Sequence, residues 1–105
     1  LLSGGNMQKL VLARVLEREP RLVLACQPSR GLDVGAVAEV HRHLLAARAR
    51  GAAILLISED LDEIFAVADD IMVIHRGRLS QPIPRADADI ARLGLMMAGE
   101  IAHAA

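Results

Sequence analysis

Apolar residues recur along this chain in two ways, at helical spacing and in short unbroken runs, and the alternation between them predicts its elements. From Ser3 onward Met7, Leu10, Val11 and Val15 fall at helical spacing, with Lys9, Arg14, Glu17 and Arg18 elsewhere, until Pro20 stops the pattern. Leu22-Val23-Leu24-Ala25-Cys26 is a short apolar run closed by Pro28, as expected of a strand buried on both faces. A loop from Gln27 to Val34 leads into a second helix, marked by Val37, Val40, Leu44 and Leu45 and ended at Arg48, Arg50 and Gly51. Ala53-Ile54-Leu55-Leu56-Ile57 predicts another buried strand. Asp60 then caps a short helix carrying Ile64, Phe65 and Val67, with Glu63 spaced to reach back in a capping box. Ile71-Met72-Val73-Ile74 predicts a third strand, and Arg76-Gly77 turns the chain toward Arg78-Leu79-Ser80 as a hairpin. Beyond Pro82 and Pro84, a last helix runs from Asp87 to Ala98 with Ile90, Leu95 and Met96, ending at Gly99. The alternation of strands and helices predicts an α/β fold with a mainly parallel sheet, a short hairpin and a C-terminal helix. Ligands of such folds sit beyond the carboxyl ends of the strands.

Composition narrows the picture. At 105 residues one core is the ceiling, and with 53% apolar residues but a single aromatic, Phe65, that core is aliphatic. A formal charge of −1 gives no electrostatic reason to bind nucleic acid or an anionic membrane. No apolar run approaches the roughly 20 residues that cross a bilayer, so the chain reads as soluble. Cys26 is the sole cysteine, which leaves no intrachain disulfide or thiolate metal cluster and suits the cytoplasm. The chain begins inside what reads as a helix cap, without an initiator Met or a signal-like segment, and is expected to be a piece of a longer polypeptide.

The opening, Leu1-Leu2-Ser3-Gly4-Gly5-Asn6-Met7-Gln8, carries the strongest chemical signal. Unpaired amides and the positive dipole end make a helix start attractive to anions, and two glycines let a phosphate approach the backbone closely. The plain alternative is an ordinary cap at Ser3. Other candidates have plain readings too. Cys26 can be a small core residue, Gln27 before Pro28 a turn residue, and Asp33 the cap of the helix from Val34. His41 and His43, two apart on a helix, point to different faces and do not make a metal pair, and His75 and His103 have no ligand partners in the pattern. Met96-Met97 reads as packing, Arg42, Arg48 and Arg50 as a solvated helix side, and Asp60-Asp62-Glu63 as capping rather than acid/base catalysis.

Three ordered motifs change the weight of these readings. Leu2-Ser3-Gly4-Gly5-Asn6, then an apolar strand into Gln27-Pro28-Ser29-Arg30-Gly31-Leu32-Asp33, then a strand into Ser58-Glu59-Asp60, have the order and spacing of an ABC transporter ATPase. The chain resembles the second half of such a P-loop ATPase domain, its signature helix to its C-terminus. The details Pro28-Ser29-Arg30-Gly31-Leu32-Asp33-Val34-Gly35-Ala36, Ser58-Glu59 and Leu95-Met96-Met97-Ala98-Gly99-Glu100 resemble the C-terminal domain of the double-ATPase proteins that energise importers of simple sugars and nucleosides. Ala25-Cys26-Gln27-Pro28 favours the nucleoside type.

The resemblance implies roles. Ser3, Gly4, Gly5, Asn6 and Gln8 match the signature motif, which caps the γ-phosphate of an ATP held mainly by the opposing domain; Met7 stands where the family usually has a polar residue. Cys26 and Gln27 hold the positions of an Asp that orders the Mg²⁺ water shell and a Glu that polarises the attacking water. A thiol does not replace a hard oxygen ligand, and Gln27 can orient water without taking its proton. Asp33 matches the loop Asp that communicates across the interface, and Glu59 replaces the usual γ-phosphate His. Lys9, the only lysine, lies outside any phosphate-loop context, so the chain needs other sequence to make an ATP site. The implied assembly contains an opposing ATPase domain, transmembrane permease subunits and, indirectly, a periplasmic or lipoprotein substrate-binding protein, with ATP and Mg²⁺ bound only in the full-length assembly, on the cytoplasmic side of the membrane. The competing expectation is a standalone, non-enzymatic α/β interaction or regulatory module. A receiver-like domain would need an acidic cluster and a phosphoacceptor Asp at strand ends, where Cys26 and Ser58 stand instead.

Overall fold

A computed structural model of the chain describes residues 4–100, with the helical backbone alone over 4–9. Ser3 and His103 lie outside the described residues. The chain divides after Val67 into two compact units.

The first unit runs α1 (Gly4–Glu17), β1 (Leu22–Cys26), α2 (Val34–Ala49), β2 (Ala53–Ile57) and α3 (Leu61–Val67). β1 and β2 pair in parallel, Leu22 opposite Ala53 through Cys26 opposite Ile57, with α2 as the crossover. The crossover helix starts sharply because Asp33 Oδ1 accepts from the Ala36 amide at 2.8 Å. It ends at Gly51, whose φ of +101° is a conformation few side chains tolerate.

The core of this unit gathers Leu16 from α1, Val23 and Ala25 from β1, and Val40, Leu44 and Ala47 from α2, with Leu12, Leu32, Ala52, Ile54 and Leu56 packed around them. Two expectations are corrected here. The apolar stripe of α1 that points inward is Leu12 and Leu16, whereas Leu10, Val11 and Val15 are exposed. The β1–β2 pair buries one face only: Val23 and Ala25 face the helices, while Leu22, Leu24, Leu55 and Ile57 are all about half exposed or more. Unbroken apolar runs specify two sticky faces, and the described residues supply helices for one of them.

The second unit contains β3 (Asp70–Ile71), β4 (Ile74–His75), β5 (Arg78–Leu79), β6 (Ile83–Pro84), a 3₁₀ turn over Arg85–Asp87, and α4 (Ile90–Met97). β4 and β5 form the expected hairpin, with Arg76 and Gly77 both at positive φ, 50° and 78°, the geometry of a type I′ turn. The third strand is not continuous over 71–74. Ile71 pairs with Ile83 and Ile74 with Leu79, because the Ser80 hydroxyl accepts from the Val73 amide at 2.9 Å and interrupts the ladder. The last helix buries Leu93 and Met96, while Ile90 and Leu95 face out. Asp89 caps it through the Ala91 amide. Among the described residues no helix is long and apolar enough to cross a membrane.

Candidate functional site

The carboxyl ends of β1 and β2 open onto a cleft of about 430 Å³, lined chiefly by Gln27, Ser29, Arg30, Ser58, Glu59 and Asp60. Parallel pairing brings these two strand ends side by side, which is where α/β folds place ligands. Gln27 follows directly on β1. Its amide donates to the Ile57 carbonyl at 2.7 Å, extending the ladder by one bond, and its φ of +49° then turns the chain sharply before Pro28. A non-glycine residue in this left-handed region costs of order 1 kcal/mol and is held by its surroundings. The loop that follows is tightened by two further bonds, Arg30 N–H to the Gln27 carbonyl and Leu32 N–H to the Ser29 carbonyl, both 3.2 Å.

Across the cleft, the Glu59 amide donates to Gln27 Oε1 at 3.3 Å, and the Glu59 carboxylate lies 3.6 Å from the Arg30 guanidinium. Both charged side chains are largely exposed, at 80% and 67%, so this ion pair contributes orientation more than stability. The sequence-expected positions Gln27 and Glu59 are thus brought into direct contact. Cys26 is exposed, not the buried core residue expected of it, because its position in the strand alternation falls on the outer face of β1 with Leu22 and Leu24. Asp33 does not line the cleft and its described contact is the cap on α2. Of Gly4, Gly5, Asn6 and Gln8 the described feature is the first turns of α1, a helix with no acidic residue in its first turn to oppose an anion.

The residues at the strand ends do not fit a magnesium ion. That ion requires oxygen ligands in octahedral array, and the oxygens here are already engaged: Gln27 Oε1, Ser58 Oγ and Asp60 Oδ1 accept backbone amides, the Glu59 carboxylate faces Arg30, and Cys26 offers sulfur on the outer face of β1. Chemically the cleft can offer hydroxyl, amide and guanidinium donors to a polar ligand.

One relationship escaped the sequence. Asp60 caps α3 as expected, its Oδ1 accepting from the Asp62 and Glu63 amides at 2.9 and 3.4 Å. Glu63, however, does not reach back to complete a capping box. Its carboxylate is 1% exposed and accepts a 2.8 Å hydrogen bond from His41 Nε2 on α2. The signal was present: His41 lies four residues after Val37 and three before Leu44, on the inward stripe of α2, where a polar residue needs a buried partner. By contrast Arg42, next along the helix, is exposed and donates to Glu39, whose hydrogen bond and charge hold its pKa above the ordinary arginine value.

The fold of the chain is found in an ATP-binding cassette of an ABC transporter crystallised in its ADP conformation, with a TM-score of 0.71 and 22% identity over 92% of this chain and 37% of that one. The fold is therefore that of an ABC ATPase. No family model matches the chain. In sequence, it is 47% identical over 98 residues to a glucose import ATP-binding protein of Haloferax volcanii, covering 93% of this chain and 18% of that protein. It is 46% identical over 98 residues to a nucleoside import ATP-binding protein of Lactococcus lactis, covering 93% and 19%. It is 53% identical over 87 residues to a ribose import ATP-binding protein of Streptomyces avermitilis, covering 83% and 17%. The chain belongs with the ABC transporter ATP-binding proteins of the sugar and nucleoside import type, and spans less than a fifth of the length of these relatives.

Proposed function

We propose that residues 1–105 are the C-terminal part of the second ATP-binding domain of a double-ATPase subunit that energises import of simple sugars or nucleosides. The relatives named for glucose, ribose and nucleoside import support that cargo class. In this reading α1 is the signature helix, with Ser3, Gly4, Gly5, Asn6 and Gln8 closing over the triphosphate of an ATP held by the opposing domain, and Asp33 lies at the interface between the two. Amides aimed at the developing γ-phosphate charge lower the barrier to transfer in that partner site.

The site at this chain's own strand ends is weakly hydrolytic or non-hydrolytic. The observation that supports this is the contact of Gln27 with Glu59: an amide stands where a general base is needed, and its carbonyl oxygen accepts from the Glu59 backbone. A neutral amide orients water and does not take its proton. The Arg30 guanidinium compensates the Glu59 carboxylate, which would otherwise repel a phosphate. ATP and Mg²⁺ are bound in the full-length assembly, with metal ligands supplied from outside the strand ends described here. The assembly's partners are the opposing ATPase domain, the transmembrane permease subunits and, through them, a substrate-binding protein, and it sits peripherally on the cytoplasmic face of the membrane.

The test is Ser3→Arg in the intact protein. A bulky cation at the helix start blocks the approach of the partner's nucleotide, so ATP turnover falls by about 10²-fold or more. Normal turnover in that variant overturns the donated-site reading.

A further inference from the structure

Among the described residues of α3, Glu63 alone is buried, so the group by which this short helix is anchored most deeply is a carboxylate and not an apolar side chain. Apolar contact is non-directional and lets a helix slide or roll, whereas the 2.8 Å bond from His41 Nε2 fixes where α3 sits along α2. The restraint is passed on within a few atoms. The backbone amide of Glu63 donates to Asp60 Oδ1, the Asp60 amide donates to Ser58 Oγ at 3.0 Å, and Glu59 lies between these two residues, with its own amide on Gln27 and its carboxylate on Arg30. Glu63 itself borders the cleft.

We infer that His41 is a positioning residue of the strand-end nucleotide site: through Glu63 it sets α3, and with it the turn 58–60 that holds Glu59 against Gln27 and Arg30. His41 does not line the cleft and acts through its partner. Without the tie, α3 is free to shift, Glu59 leaves Arg30, and its carboxylate turns into the space a phosphate would take.

This rests on the nucleotide-site reading, and the experiment separates the two. In the intact protein, binding of a fluorescent, non-hydrolysable ATP analogue with Mg²⁺ is titrated for the wild type and for His41→Ala, His41→Gln, Leu44→Ala, Glu59→Ala and the double variant His41→Ala/Glu59→Ala. His41→Ala weakens the affected binding phase by about fivefold, and His41→Gln, which keeps a donor for Glu63, restores it to within about twofold. Leu44→Ala, one turn further along α2 in the core, lowers thermal stability without changing that phase. In the Glu59→Ala background the effect of His41→Ala falls below about twofold, a non-additivity that general destabilisation does not produce. If the wild type binds and His41→Ala binds equally well, or if the two substitutions act additively, His41 is structural only and the inference falls while the ATP-binding reading stands. If the wild type binds no nucleotide, both fall.

Discussion

The Glu59 amide donates to Gln27 Oε1 over 3.3 Å, joining the residue that follows β1 to the turn that follows β2. This bond makes Gln27 a bridge within the protein: an oxygen that would face a water is engaged by the backbone opposite. Gln27 and Glu59 lie far apart in sequence and meet because the parallel register places Cys26 opposite Ile57.

Cys26→Asp combined with Gln27→Glu in the intact protein introduces an oxygen ligand and a general base at the end of β1. A positioned base is worth about 10²–10⁴-fold, so steady-state ATP turnover rises by about tenfold or more if the strand-end site binds nucleotide. An unchanged rate leaves the block at Glu59, at the phosphate loop or in the placement of the site, and adding Glu59→His tests the first of these.

Asp33→Ala removes the acceptor for the Ala36 amide and costs about 1 kcal/mol, whereas Asp33→Asn keeps an acceptor and costs a few tenths. Hydrogen exchange of the first-turn amides of α2 in the intact protein distinguishes the two. Equal protection in both variants refutes the capping role.

Leu44 is 1% exposed at the centre of the α1–β1–α2 core, and Leu44→Ala leaves a cavity among Val23, Val40 and Leu16. The cost is about 2–5 kcal/mol. Native-state hydrogen exchange of the β1 and β2 amides reads it directly, and a loss below about 1 kcal/mol would mean that the site collapses onto its neighbours.

Gly99 has a φ of +76° after α4, and a Cβ there would run into the His75 ring, whose Nδ1 bonds to the Met97 carbonyl at 3.1 Å. Gly99→Ala therefore destabilises the second unit by about 1–3 kcal/mol. Faster exchange of the α4 amides, without change in β1 and β2, is the expected pattern.

Expressed as 105 residues alone, the chain self-associates, because Leu22, Leu24, Leu55 and Ile57 present one contiguous apolar face. Light scattering over a concentration series shows growth in size. A stable monomer with a sharp melt contradicts this.

Much of this structure was legible in the chain because its signals were local. Pro20 and Gly51 bound their helices, Asp33 and Asp60 cap theirs, and Arg76-Gly77 makes its turn, whereas the last helix starts at Ile90 behind an Asp89 cap and not at Asp87. What escaped was decided by non-local neighbours. The exposure of Leu22 and Leu24 depends on which surfaces surround the strand, not on the run of residues in it. The split of the third strand turns on one hydroxyl, Ser80, seven residues past the amide it meets. At the site, the identity of Cys26, Gln27 and Glu59 was readable, while the mutual contact of Gln27 and Glu59 and the His41–Glu63 bond needed the crossover to bring them together.

The order in which this polypeptide leaves the ribosome gives the Leu22–Ala53 pairing a last consequence. Strand β1 emerges before β2, and the edge that β2 will cover stays open until all of α2 and the whole of β2 have been made. Closing so long a loop is slow compared with forming a helix or a hairpin. During that interval segment 22–26 offers unpaired backbone groups along that edge and aliphatic side chains to any passing strand, which makes it a stretch suited to chaperone protection.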